Sequence, residues 1–251
     1  EEEGQSYDIS SVILMVSSGV MWSQETMQAL LKANPNLMLA DSFSSSVALG
    51  VGVSVTTAAG PVKTAKFQLT ETTRLFDEKL RPVETKPGAR GMVGSCRNQP
   101  VGYYKAPEQT ARTFVQVGEE RFSVPGDWAQ VNEDGVSLTL LGRGSVCINS
   151  GGEKIFPEEV EEVIKRHAAV VDAVVVGVPD EKFGEAVTAV LSLNDPGTDP
   201  EAIKVFVKEH LAGYKSPRHL VVVDQVYRTP SGKVDFKQAR KMALAALGLE
   251  A

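Results

Sequence analysis

The sequence has little sulfur and little imidazole: two cysteines and three histidines in 251 residues. Cys96 and Cys147 lie far apart, so no disulfide framework is implied, and a reducing cytoplasm is the simpler expectation. Neither cysteine has metal-ligand spacing with His167, His210 or His219, which argues against a structural zinc site. No run of 18 apolar residues exists, so nothing reads as a membrane-spanning helix. The first eight residues, EEEGQSYD, are acidic and do not read as a signal peptide. They also lack an initiator methionine, so the mature chain is expected to have been cut or not to begin here. Basic charge is in deficit, with 26 Lys+Arg against 32 Asp+Glu and a net charge of −6. That balance argues against general nucleic-acid binding.

What is present suffices for real cores. The apolar share is 42%, and the length suits one large domain or two modest ones. Charge is uneven. From Lys204 onward nine basic residues face four acidic ones, a net +5, which leaves 17 against 28, or −11, for the rest. A solvated face and a terminal lobe that meets phosphates both fit this.

Along the chain, residues 11–16 read as a short buried strand. Ser23 is placed to cap a helix that presents Met27, Leu30 and Leu31 on one face and stops at Asn34-Pro35-Asn36. Residues 37–40 form a second short strand that empties into DSFSSS, read as a polar turn. Residues 66–70 and 73–77 are strand-like, and 133–135 turn a hairpin into 136–141.

A dense stretch, GRGSVCINSGGEKIFPEEVE, covers residues 142–161. Pro157 suits the first position of a helix, with Glu158, Glu159, Glu161 and Glu162 in its early turns. Those glutamates are expected to form a solvated face. Val160, Val163, Ile164 and His167 follow helical spacing, which places His167 in a core or interface. Strands follow at 170–178 and 186–193, then a helix capped by Asp199, a strand at 219–224, and a last helix capped by Asp235. Between those last two lies PSGKVD at 230–235, a short loop with a glycine before a lysine. Read in isolation it is a surface turn.

Read together, GDW at 126–128, the 142–161 stretch, YKSPR at 214–218 and PSGKVD resemble the back half of the adenylate-forming superfamily. That superfamily holds acyl-CoA synthetases, luciferases and peptide-synthetase adenylation domains. The resemblance runs from about residue 11 to 245 and includes GYYKAPE at 102–108 and PDEKFGE at 179–185.

It implies a mixed α+β and α/β fold. Residues 1–141 would be the end of the large ATP/AMP-binding domain, strand-rich and with a small distorted β-barrel. Residues 142–251 would be a small mobile α+β domain with its hinge near Ser145. SSGVMWS and DSFSSSVALG look like two adenine-site motifs. On that likeness Gly19 and Val20 floor the adenine, and Phe43 stacks on it. The Ser42 carbonyl, next to Asp41, meets the adenine amino group, and Ser46 meets the α-phosphate.

The family's Mg²⁺-binding glutamate falls on Val47, which cannot ligate a hard cation. Asp127 is expected to accept both hydroxyls of a ribose, and Arg143 to contact ribose and phosphate with its forked, permanently charged guanidinium. Gly151 and Gly152 let a backbone approach a ligand closely. With Asn149 and Lys154 they fall on the loop that lines the pantetheine tunnel in relatives. Lys233 falls on the catalytic lysine, a point charge that bridges the attacking carboxylate and the α-phosphate.

The serine/threonine/glycine-rich phosphate loop is not in this sequence. The resemblance therefore implies the C-terminal half of a longer acid–thiol ligase, most like fatty-acyl or steroid-side-chain CoA ligases. Such an enzyme uses ATP, Mg²⁺ and CoA on a hydrophobic carboxylic acid. It is expected to be cytoplasmic and to meet a membrane only through a lipid-like substrate. An adenylation domain that loads a carrier protein, an enzyme that stops at acyl-AMP, and a non-catalytic fragment stay open as alternatives.

Overall fold

The computed structural model describes residues 7–19, 22–62, 66–195, 197–229 and 232–249. The chain divides into two compact units, residues 1–140 and 141–251.

The first unit opens with a strand, a helix and a parallel strand. β1 (Leu14–Ser18) pairs with β2 (Met38–Ser45), with Leu14 opposite Met38. Between them runs α1 (Gln24–Ala33). Its cap is the expected one: the Ser23 hydroxyl accepts from the Thr26 N–H at 3.2 Å, satisfying a donor that has no partner inside the helix. Met27 and Leu31 are buried, with Leu30 packed beside them. Asn34 ends the helix and its Nδ2 donates to Ile9 O and Val12 O at 3.0 and 2.9 Å. That ties the segment ahead of β1 to the helix end.

DSFSSS is not the turn expected of it. β2 continues through Ser45 and folds back antiparallel onto β3 (Ala48–Thr56). The reason is the period of two along a strand. Leu39, Asp41 and Phe43 point to one face, and both hydrophobic members of that set are buried. Polar composition at alternate positions thus concealed a half-buried strand.

A larger sheet follows. Its strands are β4 (Lys66–Gln68), β5 (Thr73–Phe76), β6 (Pro82–Val83), β7 (Arg90–Ser95), β8 (Phe114–Val117), β9 (Glu120–Ser123), β10 (Asp127–Val131) and β11 (Ser137–Arg143). They run in the order β4-β11-β10-β7-β5-β6, with the β8–β9 hairpin branching from β7. Among the described residues β4 and β6 do not pair, so the sheet is open where a barrel was expected. α2 (Pro107–Thr113) sits within GYYKAPE and the residues after it. The turn before β11 is held by Asp134, whose Oδ1 accepts from Val136 N and Ser137 N. Leu75, Val93, Ala129, Val131 and Leu138 of this sheet share one core with Phe43, Ala48 and Val51.

In the second unit the hairpin β12 (Ile148–Ser150) and β13 (Glu153–Ile155) leads into α3 (Pro157–Lys165). β14 (Val170–Asp180) and β15 (Gly184–Leu193) form the long central hairpin. α4 (Pro200–His210), β16 (His219–Val222) and α5 (Phe236–Leu247) complete the unit. β16 runs parallel to β15.

The near-continuous apolar run of β14 is explained by burial on both faces. Ala173 and Val175 join the core under α3 and α4, and Val174, Val176 and Val178 join the one under α5. Asp199 and Asp235 cap α4 and α5 as expected, accepting from Glu201 N and Gln238 N at 3.0 Å each.

The glutamates of α3 do not form a solvated face. Glu161 and Glu162 are buried. Glu161 Oε1 accepts from Val175 N at 2.9 Å. Glu159 Oε2 meets Lys215 Nζ at 2.5 Å, and Glu162 lies 3.9 Å from Arg166. Helical spacing put Glu161 against β14 and Glu159 against the YKSPR segment, where each meets a donor or a cation, while Glu162 pairs with Arg166 at the end of its own helix. No helix of the described residues is long and apolar enough to cross a membrane.

Candidate functional site

The lysine loop of the second unit is the most sharply built local feature. Arg228 and Val234 form an isolated bridge that closes it. Within it Gly232 N donates to Thr229 O at 2.8 Å, Lys233 N donates to Thr229 Oγ1 at 3.1 Å, and Thr229 N donates to Lys233 O at 2.9 Å. Gly232 has φ +76°, a left-handed conformation that a side chain would strain. This holds the lysine backbone in a small ring of hydrogen bonds, while the Lys233 side chain is exposed. Asp172 of β14 grips the loop's entry through Arg228, with Nε–Oδ2 at 2.6 Å and Nη2–Oδ1 at 2.8 Å.

Asn149, Gly151 and Gly152 come together on the β12–β13 turn, with Lys154 directly across from Asn149. All four are exposed. The turn is fixed from the neighbouring hairpin: Glu185 Oε2 accepts from Asn149 N at 2.8 Å, and Phe183 O accepts from Gly151 N at 2.8 Å. Arg218 stacks over the Phe183 ring at 3.8 Å, so a cation and an aromatic face lie beside this turn.

Arg143 ends β11, exposed, and Ser145 sits in the 3-10 turn that follows. Gly142 is buried with φ +138°, and a Cβ there would run into the Glu158 carboxylate. Cys147 is half-buried, and burial pushes its thiol up to about 11. It is therefore a protonated, unreactive thiol near neutral pH.

In the first unit Asp127 opens β10 and is 7% exposed. The preceding Gly126 is at φ +98°, so the carboxylate stands at a tight glycine corner. Gly19 follows β1 with φ +80°, and Val20 lies outside the described residues. Asp41 is half-buried on the face it shares with Leu39 and Phe43, and desolvation raises its carboxyl to about 6. The Ser42 carbonyl already accepts from Ser18 Oγ at 3.1 Å. Ser46 is exposed at the β2–β3 turn.

Phe43 departs from expectation. It is 8% exposed, and its ring packs against Phe67 with centroids 5.4 Å apart. Strand parity turned the ring into the core, so here it is a packing residue rather than a stacking surface. Val47 beside it is buried. Among the described residues no three His, Cys, Asp or Glu side chains cluster as a metal site.

Sequence reasoning missed Asp172 and the Glu159–Lys215 pair. A signal for the first existed: Asp172 is the one polar residue in VVDAVVVGV, and an acid in an apolar strand requires a partner.

A domain profile described as "AMP-binding enzyme C-terminal domain" matches residues 159–233, from Glu159 of α3 to Lys233. Over that stretch the chain is similar to the C-terminal domain of AMP-binding enzymes. Among its relatives is the "Medium/long-chain-fatty-acid--CoA/3-oxocholest-4-en-26-oate--CoA ligase" of Mycobacterium tuberculosis (strain ATCC 25618 / H37Rv). It is 42% identical over 247 residues, which is 97% of this chain and 44% of that protein. The "3-oxocholest-4-en-26-oate--CoA ligase" of Rhodococcus rhodochrous is 41% identical over 94% of this chain and 43% of its own length. The chain thus spans less than half the length of these relatives.

Two solved structures carry the fold. The amide bond synthetase McbA from Marinactinospora thermotolerans aligns with a TM-score of 0.76 and 27% identity, over 93% of this chain and 47% of that one. The anthranilate CoA ligase AuaEII in complex with anthranoyl-AMP aligns with a TM-score of 0.80, over 97% and 47%. At 23% identity the latter speaks to fold alone.

Proposed function

We propose that this chain is the C-terminal part of an ATP-dependent acyl-CoA ligase acting on a hydrophobic carboxylic acid, a medium- or long-chain fatty acid or a steroid side-chain acid. We place that enzyme in the cytoplasm, meeting a membrane only through its lipid-like substrate. The observation that carries the reading is the 42% identity running over 97% of the chain to a ligase of that specificity. In the first step the acid's carboxylate attacks the α-phosphorus of ATP. An acyl–oxygen–phosphorus bond forms and pyrophosphate leaves. In the second, the CoA thiolate attacks the acyl carbon and AMP leaves.

Lys233, exposed on its backbone-locked loop, is the ammonium that offsets charge building on the α-phosphate. Asp127 accepts the ribose hydroxyls, and Arg143 donates to ribose or phosphate. Gly19 and the Ser42 carbonyl border the adenine, with Asp41 beside them and Ser46 toward the phosphate. Asn149, Gly151 and Gly152 face the thiol substrate, and Ser145 is the hinge. Residues 1–141 serve as the end of the large domain and 142–251 as the mobile one. Mg²⁺ would accompany ATP and offset charge on its phosphates, and the position of the family's Mg²⁺-binding glutamate is Val47 here.

A second reading, transfer of the acyl group to an acceptor other than CoA, is favoured by the 27% identity to an amide bond synthetase.

The test is Lys233→Ala in the longer enzyme. Acyl-AMP formation should fall by about 3–4 kcal/mol of transition-state stabilisation, roughly 10²- to 10³-fold. Thioester formation from supplied acyl-AMP should change far less. Equal losses in both half-reactions would reduce Lys233 to a structural role. Turnover without CoA in the unmodified enzyme would favour the second reading.

A further inference from the structure

We propose that Arg228 and Asp172 are the positioning pair that holds the Lys233 loop on the central hairpin. The proposal rests on Lys233 being the reacting-site lysine, and it names residues that place it rather than touch substrate.

The geometry is that of a two-sided clamp. On one side the Arg228 guanidinium spends Nε and Nη2 on both oxygens of Asp172, at 2.6 and 2.8 Å. On the other side Nη1 donates to Gly232 O at 3.2 Å, the carbonyl one residue before Lys233. One planar group therefore joins a core strand to the backbone of the loop. Arginine has the forked donors this requires, and lysine, a single point donor, does not.

The anchoring end is itself rigid. Asp172 sits where the β14–β15 register shifts, between Val170 and Asp172, and Oδ1 also accepts from Ala173 N at 2.8 Å. Lys165 of α3 approaches the same oxygen at 3.3 Å. Glu161, buried in α3, adds a second acid, so two cations face two carboxylates. Burial works to raise the Asp172 carboxyl. The Arg228 hydrogen bonds and the Lys165 charge outweigh it, and the group lies below its ordinary value. Hydrogen bonding to Asp172 in turn raises Arg228.

Bonds inside the loop, Thr229 to Gly232 and Lys233, fix its shape but not its place on the unit. Arg228 supplies a polar tie between this loop and the sheet. Without it the loop would keep its turn and lose its registry, and misplacement of a reacting group by an ångström is costly.

Two variants test this, Arg228→Lys and Asp172→Asn, each read in two ways. In the 251-residue chain, hydrogen exchange at residues 229 and 232–234 should rise by about tenfold or more while β14 and β15 amides stay protected. In the longer enzyme, acyl-AMP formation should fall at least about tenfold. Thioester formation from supplied acyl-AMP should stay within about threefold.

Loop exchange unchanged in Arg228→Lys overturns the proposal. So does exchange that rises equally in β14 and β15, since the pair would then be a general stabiliser. Parallel loss of both half-reactions does the same. If the unmodified enzyme makes no acyl-AMP, the reading of Lys233 has failed, and the exchange arm alone decides the clamp. If Asp172→Asn does not fold, Arg228→Lys, which keeps the charge, carries the decision.

Discussion

Replacing Lys215 by methionine tests the contact that sequence reasoning did not anticipate. Lys215 Nζ lies 2.5 Å from Glu159 Oε2, and the two side chains are 11% and 19% exposed. Lys215 also closes a 3-10 turn in YKSPR, so the pair ties that segment to α3. Removing one partner of a buried pair typically costs about 3–5 kcal/mol, because a charge is left desolvated and uncompensated. Here some solvent reaches both groups, and Glu159 Oε1 keeps the Phe156 N–H. The expected cost of Lys215→Met is therefore at the low end, about 3 kcal/mol. Adding Glu159→Gln removes the stranded charge, and the double variant should recover to within about 1 kcal/mol of the parent chain. The assay is urea unfolding of the 251-residue chain by circular dichroism, with hydrogen exchange of β14 and β15 assigning the loss to the second unit. A cost below about 0.5 kcal/mol for the single variant would refute the buried-pair argument, since that is the size of a surface pair. So would a double variant whose cost is the sum of the two singles.

Two further outcomes are expected. Asp41, raised by burial to about 6, binds its proton more tightly folded than unfolded. Its contribution therefore lowers stability as pH rises from about 4 through 6. Asp41→Asn should flatten that part of the stability profile and stabilise the chain at pH 7, and an unchanged slope would remove the burial argument. Asp127→Ala in the longer enzyme should weaken AMP binding by about 1–3 kcal/mol, the range for a hydrogen bond to a charged group. Calorimetry showing unaltered affinity would leave Asp127 as a turn residue.

Local chemistry was legible where it is carried by neighbours in the chain. Ser23, Asp199 and Asp235 were readable as caps because a helix N-terminus leaves N–H groups that a short oxygen side chain meets within two or three residues. The strands of the central hairpin were readable because VVDAVVVGV and AVTAVLSL are short apolar, valine-rich runs. DSFSSS was misread because hydroxyls in a strand look like those in a turn, and only pairing with β3 distinguishes them. The glutamates of α3 were misread for a related reason. Helical spacing says which carboxylates share a face, not what that face meets.

The sequence by itself determined the order of motifs, the caps, the two strands at 170–178 and 186–193 and the presence of a lysine on a glycine turn, all properties of residues within a few positions of one another. The tertiary structure decided that Phe43 belongs to a core and that the large sheet is open among the described residues. It decided that Glu159 answers Lys215, 56 positions away, and that Asp172 answers Arg228, also 56 positions away. Burial and charge pairing are summed over space rather than along the chain. An acid's environment, and with it its charge and its role, is therefore set only when distant segments meet.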